Sequence, residues 1–160
     1  MGGLDGLVNN GAIATGIGGP LIDQIEIDVW DRVMSVNVRG TWLMTRAALP
    51  HLKKSGAGKV VNVASDTALW GAPRLMHYVA SKGGMIGFTR TLARDVGKDG
   101  ITVNAITPGA ILTEAELTMF PDQEAVQKLL AGLQSIPRRG LPEDIANAVV
   151  FLASDEASFI

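Results

Sequence analysis

The run Lys59-Val60-Val61-Asn62-Val63-Ala64 constrains the fold more than any other stretch of this 160-residue chain. Its near-continuous apolar character suits a short strand buried on both faces, as in parallel sheets covered by helices. Two further apolar runs, Leu4 to Asn9 and Ile101 to Ile106, read as strands of the same kind. Helical periodicity fills the intervals. Trp30, Val33, Met34, Val36, Val38 and Leu43 carry it from Asp28 towards Pro50, with Asp28 as the expected cap. A second helix is predicted over about Met76 to Val96, a third over Asp122 to Leu133, and a last one over Glu143 to Leu152 after Pro142. The segments from Asn10 to Pro20 and from Trp70 to Leu75 read as loops. The alternation predicts an α/β fold: a partial Rossmann-like, doubly wound parallel sheet in three layers with flanking helices, forming a single domain over residues 1–160.

Composition removes several function classes. Fourteen Lys and Arg against 16 Asp and Glu leave a formal charge of -2, with no basic stripe to track a nucleic acid. With no cysteine and only His51 and His77, neither a disulfide framework nor a zinc site is expected. The N-terminus lacks the basic and apolar regions of a signal peptide, and no apolar stretch approaches the ~20 residues that span a bilayer. The expectation is a cytoplasmic protein acting on small molecules, with no metal, membrane or nucleic-acid partner.

The residues that point to chemistry are Tyr78 and Lys82, in Tyr78-Val79-Ala80-Ser81-Lys82. Four apart on a helix, they share one face. An ammonium beside a phenol favours the phenolate, and a tyrosine poised to exchange a proton is a general acid-base for an alcohol or carbonyl. Tyrosine and lysine at this spacing also occur by chance in many helices, but Ser65 shifts the balance. It ends a strand of the buried type, and ligands of open parallel sheets lie at the carboxyl ends of strands. Its hydroxyl can hold a substrate oxygen; the plainer role is to satisfy a loop amide.

Asn37 interrupts an apolar helical pattern, where a buried amide needs partners; a lone buried hydrogen bond is the simpler account. His77 points about 100° away from Tyr78 around the helix, which favours a surface or subunit-contact role. Asp66, Trp70, Met119 and Phe120 are candidates for a substrate pocket. The glycine-dense loop after Asn10 fails as a dinucleotide fingerprint, because one beginning at Gly16 would need glycine where Leu21 stands, and no phosphate-binding lysine follows.

In order along the chain, Leu7-Val8-Asn9-Asn10, Asn37 in Val36-Asn37-Val38-Arg39-Gly40, Ser65 thirteen residues before Tyr78, the Tyr78–Lys82 motif, Asn104-Ala105-Ile106-Thr107-Pro108-Gly109 and Arg139-Gly140-Leu141-Pro142-Glu143-Asp144-Ile145 resemble a classical short-chain dehydrogenase/reductase. The resemblance implies NAD(P)-dependent interconversion of a secondary alcohol and a ketone. Tyr78 would be the general acid/base, Lys82 would lower its proton affinity and bind the nicotinamide ribose, Ser65 would polarise the substrate oxygen, and Asn37 would support a water linked to Lys82.

The same resemblance implies cofactor contacts from Asn10, Gly11, Tyr78, Lys82, Pro108, Gly109, Ile111 and Thr113. Substrate contacts would come from Ser65, Asp66, Trp70, Met119 and Phe120, with a substrate-binding loop over about 109–134. The cofactor is NAD or NADP, the residues that choose between them lying outside this sequence. A homotetramer is implied, with helices around Asp28–Leu49 and Met76–Val96 at a major interface. Trp70, Leu75, Met119 and Phe120 point to a ring-bearing or aliphatic alcohol rather than a charged sugar acid.

Two departures stand out. The family's Asn-Asn-Ala-Gly is here Asn9-Asn10-Gly11-Ala12, and the chain resembles the family only from its fourth strand onward, without the glycine-rich pyrophosphate loop or the last strand. The alternative expectation is therefore a non-catalytic truncated remnant, or a fragment that folds only by assembly.

Overall fold

The computed structural model describes residues 3–160, apart from the Met119 side chain. Three strands, β1 (Gly6–Asn9), β2 (Lys59–Val63) and β3 (Thr102–Ile106), lie side by side in chain order. Both pairings are parallel, with Val8 beside Val61 and Val61 beside Asn104. Every residue of the central strand is buried, as its unbroken apolar character requires. The sheet is a partial doubly wound Rossmann fold, flanked by helices.

The first crossover begins at α1 (Ile27–Met34). Glu26, with extended backbone, precedes its first turn. Asp28 therefore does not cap the helix as expected; it lies within the first turn, where a carboxylate still meets the positive end of the helix dipole. The chain passes through a π turn (Ser35–Gly40) into α2 (Thr41–Ser55). Pro50 does not end α2. Ala48 and Leu52 flank it, and both are buried in the core, so packing outweighs the lost backbone bond. The stop comes at Gly56, with φ at +74°.

After β2 come the short helix α3 (Thr67–Trp70), which takes in only the first residue of the loop expected over Trp70 to Leu75, and then α4 (Met76–Val96). Ala48 and Leu52 of α2, Val60 of β2, Val96 of α4 and Val103 of β3 form one apolar cluster together with Ile101. Alternation along β2 turns Val61 and Val63 to the opposite face. Beyond β3 lie α5 (Glu114–Met119), α6 (Gln123–Ala131) and α7 (Pro142–Ala153), the last packing against β2. Among the described residues no helix is long and apolar enough to cross a membrane, and no three metal-ligating side chains cluster.

A polar ladder runs through this core. The Asn9 amide donates to Asn62 Oδ1 at 2.8 Å and Thr45 Oγ1 at 3.2 Å, and the Asn62 amide donates to Thr89 Oγ1 at 2.8 Å. It joins α2, β1, β2 and α4 with each buried group satisfied by the next. His77 departs from expectation: it is fully buried, not on the surface, and neither ring nitrogen has a partner. The reason is that α4 packs against α1, α3, the π turn and β3, so more than one of its faces is covered.

Candidate active site

Ser65 stands just past the carboxyl end of β2, where the Ala64 amide still donates to Ile106 O at 2.8 Å. The Thr67 hydroxyl donates to Ser65 Oγ at 2.8 Å, and the Thr67 amide donates to it at 3.3 Å. The start of α3 thereby fixes the serine oxygen, and its plainer role of satisfying a loop amide is present as well. Tyr78 comes to the same place from the first turns of α4. Burial pushes its phenol above the ordinary tyrosine value; the Ser65 hydroxyl lowers it, and the charge of Asp66 raises it further.

Lys82 lies one turn along α4, almost completely buried. Its Nζ donates to the Val63 carbonyl at 2.7 Å and stands 5.7 Å from the Tyr78 ring centroid. Burial brings its pKa down from 10.5 to about 8. The net effect of these surroundings on Tyr78 is upward, against the expected lowering by lysine, because burial of the phenol dominates.

Asn37 sits inside the π turn, an irregularity often found at functional positions. Its Oδ1 accepts from Ile13 N at 2.7 Å, and its Nδ2 donates to Ile13 O at 3.1 Å and Ser81 Oγ at 3.0 Å. Ser81 in turn donates to Tyr78 O at 2.7 Å. The asparagine thus ties the loop after β1 to the backbone of Tyr78, and it has three partners rather than one. Arg74, at a φ of 60°, clamps the far end of that loop by donating to Gly19 O at 2.8 Å.

Two cavities meet at Ser65 and Tyr78. The smaller, about 400 Å³, is lined by Asn10, Lys82, Pro108, Gly109, Ile111 and Thr113. Gly11 is exposed and does not line it; its neighbour Ala12 does. The larger, about 700 Å³, is bounded by Asp66, Trp70, Leu75 and Phe120. The Met119 side chain lies outside the described residues.

Sequence reasoning did not single out Thr67, Ser81 or Glu116. Ser81 carried a usable signal, a small polar residue three after Tyr78 on a helix face. Glu116 lines the larger cavity and pairs with the buried Arg139, which also donates to Gln123 Oε1, so α5 and α6 are tied to the segment before α7. Only their distance in the sequence, 23 residues between Glu116 and Arg139, hid this pair.

The family profile described as Enoyl-(Acyl carrier protein) reductase matches residues 1–160. The chain belongs to the short-chain dehydrogenase/reductase family. This dehydrogenase/reductase chain is 39% identical over 163 residues to 2-(S)-hydroxypropyl-CoM dehydrogenase 3 of Xanthobacter autotrophicus, covering 100% of the chain and 63% of that protein. It is 38% identical over 161 residues to the 3-oxoacyl-[acyl-carrier-protein] reductase FabG of Vibrio harveyi, covering 99% and 63%. Among solved structures, ElxO with NADP bound superposes with a TM-score of 0.90 at 30% identity, covering 98% of this chain and 62% of ElxO. The short-chain dehydrogenase/reductase chain thus spans less than two thirds of the length of these relatives.

Proposed function

We propose that this chain carries the catalytic and substrate-binding part of an NAD(P)-dependent oxidoreductase that interconverts a secondary alcohol and a ketone. The observation that carries this reading is the meeting of Ser65, Tyr78 and Lys82 where the two cavities join. Support for the cofactor comes from ElxO, solved with NADP and, as a variant, with NADPH.

The smaller cavity fits the nicotinamide riboside end of such a cofactor. Its lining combines one buried ammonium, the hydroxyls of Ser65, Tyr78 and Thr113, the Asn10 amide and the backbone around Pro108 to Ile111 with apolar walls. Lys82 and Tyr78 would hold the ribose, with Asn10, Gly109, Ile111 and Thr113 around the ring, and Gly11 shaping the approach. When bound, the cofactor supplies the hydride acceptor or donor.

In reduction, the Ser65 hydroxyl donates to the ketone oxygen and the Tyr78 phenol delivers the proton as negative charge develops there. In oxidation, the phenolate removes the alcohol proton. Lys82 holds the charge balance beside Tyr78, and Asn37 anchors the loop and, through Ser81, the Tyr78 backbone. Residues 109–134, with α5 and α6, would form the substrate-binding segment, and Trp70, Met119 and Phe120 its apolar contacts. The assembly would be a homo-oligomer.

The deciding experiment is calorimetric titration of the chain with NADH and NADPH, followed by turnover assays on a panel of secondary alcohols and ketones. Saturable binding with turnover is expected. Folded protein that neither binds nor turns over would defeat the reading in favour of a non-catalytic chain. One relative, 38% identical over 163 residues, carries the name Inactive 2-(S)-hydroxypropyl-CoM dehydrogenase 2.

A further inference from the structure

We infer that Asp66 sets the charge preference of the larger cavity, so that it admits uncharged or cationic secondary alcohols and ketones and turns anionic ones away. The inference rests on the oxidoreductase reading and adds the substrate class.

The main chain fixes Asp66 in place. Its amide donates to Pro108 O at 3.1 Å, and its carbonyl accepts from Leu69 N at 2.7 Å at the start of α3. Its carboxylate lines both the larger cavity and a second hollow behind Gly109. There Oδ2 lies 3.4 Å from the point a Cβ at Gly109 would occupy, so the bare glycine leaves room for the carboxylate at the cavity wall.

Its charge is not cancelled. Among the described residues, the ion pairs are Lys53 with Asp99, Arg138 with Asp144, and Arg139 with Glu116. Arg138, which shares the second hollow with Asp66, is therefore committed to Asp144, and Arg139 to Glu116. Glu116, the other acid on the cavity wall, is neutralised by Arg139; Asp66 is left alone. No lysine, arginine or histidine lines this cavity among the described residues, and its remaining wall is largely apolar, with Trp70, Leu75, Phe120, Leu130 and Leu133.

The field of Asp66 reaches the reacting group, since its charge raises the proton affinity of Tyr78. A substrate carboxylate or phosphate in the larger cavity would meet the same field beside a partly apolar wall, where like charges are screened less than in bulk water. The Lys82 ammonium lies off this wall, in the smaller cavity, and is bonded to Val63 O. An unpaired like charge is an effective way to reject a competitor without losing contacts to the preferred ligand.

The test uses the cofactor-loaded protein and three matched secondary alcohols: α-methylbenzyl alcohol, its para-carboxylate and its para-aminomethyl form. The neutral and cationic forms should exceed the carboxylate in kcat/KM by about tenfold, the scale of a partly screened pair of like charges. In Asp66→Asn the ratio of carboxylate to neutral substrate should rise about tenfold, whereas Asp66→Glu should keep the native ratio. Binding of acetophenone and para-acetylbenzoate, followed by tryptophan fluorescence, should show the same ordering without turnover. Equal handling of neutral and anionic compounds by the native protein, or an unchanged ratio in Asp66→Asn, would overturn the inference. Absence of turnover on all three alcohols would count against the oxidoreductase reading, and the ketone-binding ratio would then decide the role of Asp66 by itself.

Discussion

The Lys82 ammonium donates to the Val63 carbonyl at 2.7 Å, which ties α4 to the last residue of the central strand. The bond sits in a buried place that holds the lysine pKa near 8. Between pH 8 and about 10 the folded chain has lost this proton while the unfolded chain, with a lysine of ordinary pKa 10.5, still binds it. Stability must therefore rise with pH across that window, and the gain is absent below pH 8. Urea midpoints measured from pH 7 to pH 10 should climb in the native protein and flatten in Lys82→Met. A native midpoint that falls steadily over the same range would show that Lys82 is not buried in this way.

Tyr78 stands above the ordinary tyrosine value, so at neutral pH it carries its proton. Ketone reduction should then be supported at neutral pH, and alcohol oxidation should accelerate as pH rises into the alkaline range. Tyr78→Phe should lower kcat by about 10²–10⁴-fold, the usual range for loss of a general acid-base. Cofactor affinity, measured by calorimetry, should change far less. Near-native turnover in that variant would remove Tyr78 from the chemistry.

Asn37 is fully buried and satisfies both backbone groups of Ile13. Truncation to Ala strands those two groups, while the Ser81 hydroxyl keeps its bond to Tyr78 O. We expect Asn37→Ala to cost about 2–4 kcal/mol by chemical denaturation, given about 1–3 kcal/mol for each polar group left without a partner. Hydrogen exchange should quicken in the loop after β1. A loss below 1 kcal/mol would mean that water replaces the amide freely.

Gly100 lies at a φ of +73°, and a Cβ there would come within 2.5 Å of the Gly56 carbonyl oxygen. Backbone cannot yield as a flexible side chain does. Gly100→Ala should therefore destabilise the fold by more than the roughly 1–2 kcal/mol that left-handed backbone alone imposes. The check is a thermal or urea midpoint compared with Gly83→Ala, where the added methyl meets nothing within 4 Å.

The Glu116–Arg139 pair offers a direct handle on the cavity wall. Arg139→Met leaves Glu116 without its cation in a largely buried place, a change that typically costs about 3–5 kcal/mol. Limited proteolysis should then cut between residues 111 and 133 sooner than in the native protein. If Glu116→Gln combined with Arg139→Met restores the native cleavage rate, the unpaired charge is the cause.

The sequence made the sheet legible because its strands are short apolar runs with little other use. Val60 to Val63 fell within a single strand, and Met76 to Val96 matched α4 to the residue. Edges were less readable: β1 begins at Gly6 rather than Leu4, and Pro50 lies inside a helix. In both cases the deciding terms were pairing and packing with distant residues. The grouping of Ser65, Tyr78 and Lys82 followed from strand ends and helix spacing. The burial of His77 did not, because spacing from Tyr78 gives an angle but not the number of elements packed around a helix. The pairing of Arg139 with Glu116 and the partners of Asn37 are likewise tertiary facts that leave no local pattern.

The π turn at Ser35–Gly40 acts as a phase shifter between two helices. One residue more or less in a helix swings everything beyond it by about 100°. A π turn already carries one residue more than an α turn, so a single deletion there can tighten to α and keep the phase. One residue added after Gly40 would instead wheel Thr45, Ala48 and Leu52 away from the sheet they now face. An insertion scan should therefore see a sharp notch at the start of α2 where a substitution scan sees a gentle slope.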